Sequence, residues 1–198
     1  MNTQNKVNVN FENLTEGQIK QLALMQHLSE DYFFCPDGIV YVGNLEETKE
    51  AFNSEIGSME NEASEDDNFS IYCSNNLTAV EEYDTDSYNN DYLVLTDEEA
   101  DEKAAEYIKD SLWAFNASFL ARETGFPIEE FTALQDQCEG ANDAVFNLVD
   151  GNKSDTDINS FIESAISADG RGHFMSSYDG NENEENVNDT TYYIYRIN

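Results

Sequence analysis

A chain that carries 42 aspartates and glutamates against nine lysines and arginines, a formal net charge of −33, has to fold against its own electric field. Small soluble domains are comfortable at a net charge of about 2–8 in magnitude, so repulsion on this scale subtracts from the stability of any compact state. Apolar material opposes it: 12 Phe, 11 Tyr and one Trp run through the 198 residues, and 39% of them are hydrophobic. Disordered acidic chains are poor in aromatics. The composition therefore predicts a packed core with carboxylates displayed outside it. The length suits one domain over 1–198, the alternative partition being an acidic α+β part over 1–91 and a helical part with a C-terminal hairpin over 92–198.

The same charge excludes a class of function. Nucleic-acid binding depends on Lys and Arg replacing the counterions condensed on phosphates, and this chain has too few of them under a field of the wrong sign. Such a field is either screened by high salt, where the Debye length falls to about 3 Å at 1 M, or it attracts cations or a basic partner. No apolar run approaches the roughly 18 residues of a membrane span. Residues 1–13 lack the basic start and apolar stretch of a signal peptide, which points to the cytoplasm. Cys35, Cys73 and Cys138 are odd in number and lack CxxC spacing, so they read as buried free thiols.

Periodicity and turn chemistry divide the chain. Thr15, with Gln18 at capping-box spacing, opens a helix over 16–28 whose stripe holds Ile19, Leu22 and Met25. The runs 32–35 and 39–42 flank Pro36-Asp37-Gly38 and read as a hairpin. Asn44 caps a short helix over 45–55, with Glu46 and Glu47 at the positive end of its dipole. Two polar, acidic stretches follow, 57–68 and 81–91, each beside a strand-like run, 69–73 and 92–95, and both are expected to decorate one small sheet.

Thr96 and Glu99 form a capping box for a helix reaching Phe115, with Ala100, Ala104, Ile108 and Leu112 inward. Further helices are expected over 117–123, stopped by Gly125, from Pro127 to Cys138 with a continuation to Val149, and from Asp157 to Asp169-Gly170. Residues 173–177 and 191–197 then read as two strands joined by a polar linker over 179–189. Strands at both ends of a helical centre predict an α+β fold with small antiparallel sheets.

The most motif-like stretch is Asp169-Gly-Arg171-Gly-His173, followed by Asp179. Gly170 and Gly172 permit positive φ, Arg171 is a fork for carboxylate or phosphate, and His173 can act as acid or base near neutral pH. A small metal-dependent hydrolase using this segment is one expectation. The plainer one is that Arg171 and His173 neutralise nearby acids such as Asp169 or Asp179. His27 lies inside the first helix and reads as a structural or surface residue. Calcium loops fail on inspection: the stretch from Asp150 lacks glycine at its sixth position and has Phe161 at its twelfth, and the one from Asp179 ends on Thr190. P-loop, GxSxG and HExxH signatures are absent, and no cofactor is called for.

Four blocks, VLTDEEADE at 94–102, LWAF at 112–115, DGRGHFMSSYDGNENE at 169–184 and the terminal YYIYRIN, resemble a family of uncharacterised bacteriophage and prophage proteins. The resemblance covers roughly 91–198 and implies phage origin, with little chemistry attached. Charge supplies the functional expectation. Residues 46–110 hold 21 acids and three lysines, a net of −18. B-DNA presents one negative charge per roughly 1.7 Å of axis, so rows of carboxylates on a rigid body can occupy a groove built for phosphates. The chain is thus expected to inhibit a basic nucleic-acid-binding protein of a host cell, in restriction, CRISPR or transcription machinery, by charge mimicry. The phosphate-mimicking groups expected are Glu60, Glu62, Glu65, Asp66, Asp67, Glu81, Glu82, Asp84 and Asp86. Asp169, Arg171, His173 and Asp179 are the candidates for a secondary site. An interaction protein that mimics nothing, or acidity suited to high salt, are the remaining readings.

Overall fold

The computed structural model describes residues 11–56, 64–85 and 91–198. Its elements in chain order begin with α1 (Glu16–His27), β1 (Tyr32–Phe34), β2 (Val40–Val42), α2 (Leu45–Ile56), α3 (Glu65–Asn76), β3 (Tyr92–Leu95) and α4 (Asp97–Asp110). They continue with α5 (Ala117–Thr124), α6 (Ile128–Gln135), α7 (Asn142–Val149), α8 (Ile158–Asp169), α9 (Arg171–Met175), β4 (Asn183–Val187) and β5 (Thr190–Arg196). Helices thus dominate, with two small antiparallel sheets ordered β1-β2 and β3-β5-β4, which is the α+β class expected. Among the described residues no helix is long and apolar enough to cross a membrane. The chain divides into two compact units, residues 1–90 with 184–194, and residues 91–183 with 195–198.

In the first unit α1 starts where its capping box sits. The Thr15 hydroxyl accepts from the Gln18 N–H at 3.2 Å, and the Gln18 amide oxygen accepts from the Thr15 N–H at 3.1 Å. Leu22, Ala23 and Met25 are buried on one face, and Lys20 is buried with them, its ammonium 3.1 Å from the exposed Glu16. The hairpin pairs Tyr32 with Val42 and Phe34 with Val40. Its turn is closed by the Gly38 N–H to Cys35 C=O bond of 2.8 Å, and Gly38 takes φ +82°, a conformation that favours glycine. Asn44 Oδ1 accepts from the Glu46 N–H at 2.9 Å and so caps α2 as its sequence predicts. Phe33, Cys35, Tyr41, Phe52, Phe69 and Cys73 form one core cluster, each fully buried aromatic contributing on the order of 2 kcal/mol.

Two expectations fail in this unit. Residues 69–73, read as a strand, lie inside α3, and 64–68, read as loop, supply its cap and first turn; residues 57–63 lie outside the described residues. Ser64 accepts from the Asp67 N–H at 3.1 Å, which starts a helix that buries Phe69 and Cys73, four apart, on one side. Without a strand at 69–73, the two acidic stretches do not flank one sheet.

The second unit is built on α4, whose capping box joins the Thr96 N–H to Glu99 Oε2 at 2.8 Å. Ala100, Ala104 and Ile108 are buried as expected. The helix stops at Asp110 rather than Phe115, because Ser111 leaves helical geometry at φ −122°, ψ 19°, and a 3-10 turn over Leu112–Ala114 carries Leu112 into the core instead. α5 ends on Gly125 at φ +74°. The single helix expected from Pro127 towards Val149 is interrupted: Cys138 takes φ +52° and a 3-10 turn over Cys138–Ala141 separates α6 from α7. That bend leaves Cys138 exposed, which corrects its reading as a buried thiol, whereas Cys35 and Cys73 are buried. Phe131, Val145, Val149, Phe161 and Ala165 close the core, beside which Phe115 meets Phe119, Phe161 and Phe174 at ring-centroid distances of 5.3–5.9 Å.

The C-terminal reading needs two corrections. Residues 173–177 are not a strand, because Arg171–Met175 forms the short helix α9. The expected polar linker contains the missing strand, β4, which turns into β5 through Asn188 and Asp189 at φ +51° and +63°. Two consecutive left-handed Asx residues make the hairpin connection matched to strand twist.

Candidate acidic interface and the Arg171 cluster

The described candidate carboxylates of the first unit are presented by two kinds of backbone. Glu65, Asp66 and Asp67 form the first turn of α3, where exposed N–H groups and the helix dipole favour negative charge. All three are exposed, and the Ser64 hydroxyl also donates to Asp67 Oδ2 at 2.8 Å. Residues 80–84 run without regular structure yet are tied at two points: the Val80 N–H donates to Val40 C=O at 2.8 Å and the Tyr83 N–H to Gly17 C=O at 3.0 Å. Val80 and Tyr83 point inward, so Glu81, Glu82 and Asp84 point out. Gly17 allows this close approach, since a Cβ there would meet Tyr83 C=O at 3.0 Å. Glu82 accepts from the Thr15 hydroxyl at 2.9 Å, which fixes one of these carboxylates to the start of α1. Glu60, Glu62 and Asp86 lie outside the described residues.

Charge is shared between the units. Residues 46–110 straddle them, and the first unit has 21 acids and three lysines where the second has 21 acids and six basic residues, nets of −18 and −15. The expected concentration in 46–110 is therefore a feature of the sequence and not of one unit. Among the described residues of the first unit the lysines are Lys20, buried beside Glu16, and Lys49, whose ammonium lies 5.8 Å from the Phe69 ring centroid. His27 Nδ1 is 3.9 Å from Glu185.

In the second unit the Asp169, Arg171, His173 and Asp179 side chains do not converge. Gly170, at φ +78°, ends α8 and sends the chain directly into α9. Arg171, its side chain 10% exposed, then reaches carboxylates that sequence reasoning missed. Its Nη1 donates to Asp97 Oδ1 at 2.9 Å and to Asp101 Oδ1 at 3.0 Å, while Nε and Nη2 grip Glu182 at 2.9 and 3.2 Å in a two-pronged pair. The Tyr195 hydroxyl donates to the same Glu182 at 2.6 Å. Burial of the guanidinium disfavours its charge, but the hydrogen bonds to Glu182 and Asp97 outweigh that, and its pKa is raised above the ordinary value. Asp97 and Asp101 are one turn apart on α4, a spacing that lets a single fork bridge both.

The expectation that Arg171 neutralises Asp169 or Asp179 is corrected accordingly. Asp179 instead accepts from the Asn181 N–H at 2.9 Å and the Ser176 hydroxyl at 2.7 Å, and these bonds, that from Asn181 foremost, hold its carboxyl below the usual range. Asp169 and His173 are exposed, and the His173 ring stands edge-on to Phe174 at 5.1 Å. Gly172 owes its place to space and not to positive φ: it is buried, and a Cβ would lie 2.6 Å from Gly180 C=O and 2.7 Å from the Asn181 carbonyl carbon. The DGRGH segment is thus a staple that pins α9 to α4. Among the described residues no three His, Cys, Asp or Glu side chains are gathered to hold a metal ion.

No family model, no curated protein and no solved structure matches the chain.

Proposed function

We propose that the protein acts stoichiometrically as a charge mimic of nucleic acid, occupying the phosphate-binding surface of a basic nucleic-acid-binding protein in a bacterial host. The observation that carries this reading is in the first unit: Glu65, Asp66, Asp67, Glu81, Glu82 and Asp84 are exposed on backbone held by a helix cap and by hydrogen bonds to β2 and α1. Fixed carboxylates lose less freedom on binding than mobile ones, and a field of this sign steers a basic surface into encounter. Three lysines against 21 acids in the first unit leave that field little opposed. Phage origin, as the C-terminal blocks suggest, agrees with inhibition of host restriction, CRISPR or transcription machinery.

The test is affinity capture from bacterial lysate, with the chain as bait, at low and high salt. The expected catch is a nucleic-acid-binding protein lost as salt rises, because the contacts replace phosphate contacts. A salt-insensitive catch, or one without affinity for nucleic acid, contradicts the reading.

A further inference from the structure

The acidic turn of α3 does not stand alone. Glu65 and Asp66 line a pocket of about 110 Å3 together with Phe34, Phe52, Phe69 and Lys49, all within the first unit. Such a volume holds several waters or the end of one long side chain. Two of its walls are packed: Phe52 and Phe69 are buried and meet edge to face at 5.3 Å between centroids. One cation already uses them, since the Lys49 ammonium sits over the Phe69 ring at 5.8 Å.

Aromatic walls with two exposed carboxylates fit a long side chain with an apolar stem and a cationic head. Its stem lies against the rings, and its head reaches Glu65 and Asp66. Arginine suits this better than lysine, because its planar fork pairs with carboxylates and stacks on aromatic faces. An acidic or purely apolar occupant would take water from these two carboxylates without bringing a cation in its place. We infer that this pocket anchors an arginine side chain of the basic protein partner, which displaces Lys49 from the Phe69 ring. This rests on the charge-mimic reading and gives it a centre: one desolvated anchor among many weaker surface contacts.

The probe is a blocked Gly-Arg-Gly peptide, titrated at low ionic strength into the full chain with the backbone amide signals followed by NMR. The same peptide with citrulline, which keeps the shape and removes the charge, is the control. Signals of Lys49, Phe52, Glu65, Asp66 and Phe69 should move and saturate with the arginine peptide alone. Glu65→Gln with Asp66→Asn should weaken it about tenfold, the scale of one charge-assisted pair. Glu81→Gln with Glu82→Gln, which removes the same charge elsewhere, should change it by less than about twofold. Lys49→Ala should tighten it by freeing the ring. Shifts spread over all acidic residues, or equal losses in the two double variants, overturn the pocket in favour of diffuse attraction. Undiminished capture of a DNA-displaceable partner by the Glu65→Gln/Asp66→Asn chain overturns the anchor and leaves the charge-mimic reading standing. Saturable arginine binding without any such capture supports the pocket and removes that reading.

Discussion

The start of α3 and the Arg171 cluster are both rich in carboxylates, and they use them in opposite ways. At Asp97, Asp101 and Glu182 the acids converge on the guanidinium of a side chain that is only 10% exposed, and a tyrosine hydroxyl completes the set. At Glu65, Asp66 and Asp67 they face outward from a helix end whose dipole lowers the cost of holding them there. The contrast shows that acidity in this chain is not one property. Where a guanidinium is gripped by the acids, carboxylates tie elements together; at the start of α3 the fold fixes the backbone and leaves the charge on display.

The largest effect should come from removing the cation. Arg171→Ala leaves three carboxylates facing one another with Glu182 partly buried, and is expected to cost about 2–4 kcal/mol in chemical denaturation. Arg171→Lys should recover only part of this, because an ammonium cannot reproduce the two-pronged grip on Glu182. A loss below about 0.5 kcal/mol for the alanine variant would make the cluster an ordinary surface pair. Gly172→Ala, which forces a methyl against Gly180 C=O, should cost about 1–3 kcal/mol without touching any charge.

A smaller effect separates capping acids from displayed ones. Asp157 accepts from the Ser160 N–H at 2.8 Å, and this bond holds its carboxyl below the ordinary range. A depressed folded-state pKa contributes stability that is present above the unfolded value and lost as pH falls through the folded one. The melting-temperature gap between the native chain and Asp157→Ala should therefore be full at neutral pH and close on acidification through that depressed value. The smallest change is expected at the displayed acids: Glu65→Gln, Asp66→Asn and Asp67→Asn together should alter stability by no more than about 1 kcal/mol, since lost dipole contacts offset relieved repulsion. A strong destabilisation in that variant would mean these acids are structural after all.

What the sequence made legible were the features written in adjacent residues. Thr15 with Gln18, Asn44 before Glu46, Thr96 with Glu99 and Asp157 before Ser160 all cap helices as their spacing predicts. The Pro-Asp-Gly turn likewise joins β1 to β2 as a hairpin. Errors arose where a local pattern was ambiguous. Phe69 to Cys73 alternates apolar and polar residues like a strand, but Ser64 and the three acids after it already marked a helix start. β4 was hidden because Asn183–Val187 is mostly polar, and only the Asn188-Asp189 turn announced it. The Arg171 cluster was beyond local reading, since its partners lie 11, 70 and 74 residues away. The outward acids of α3 could be named, but their neighbourhood with Phe52 and Phe69 depends on tertiary packing.

The charge-mimic account stands on competition for one surface. Labelled duplex DNA, bound to the captured host protein, should be displaced by the native chain, as read by fluorescence anisotropy. The chain neutralised at Glu65, Asp66, Asp67, Glu81, Glu82 and Asp84 should fail to displace it at the same concentration. A ternary complex in which DNA and the native chain are bound together, or equal displacement by the neutralised chain, would contradict the account.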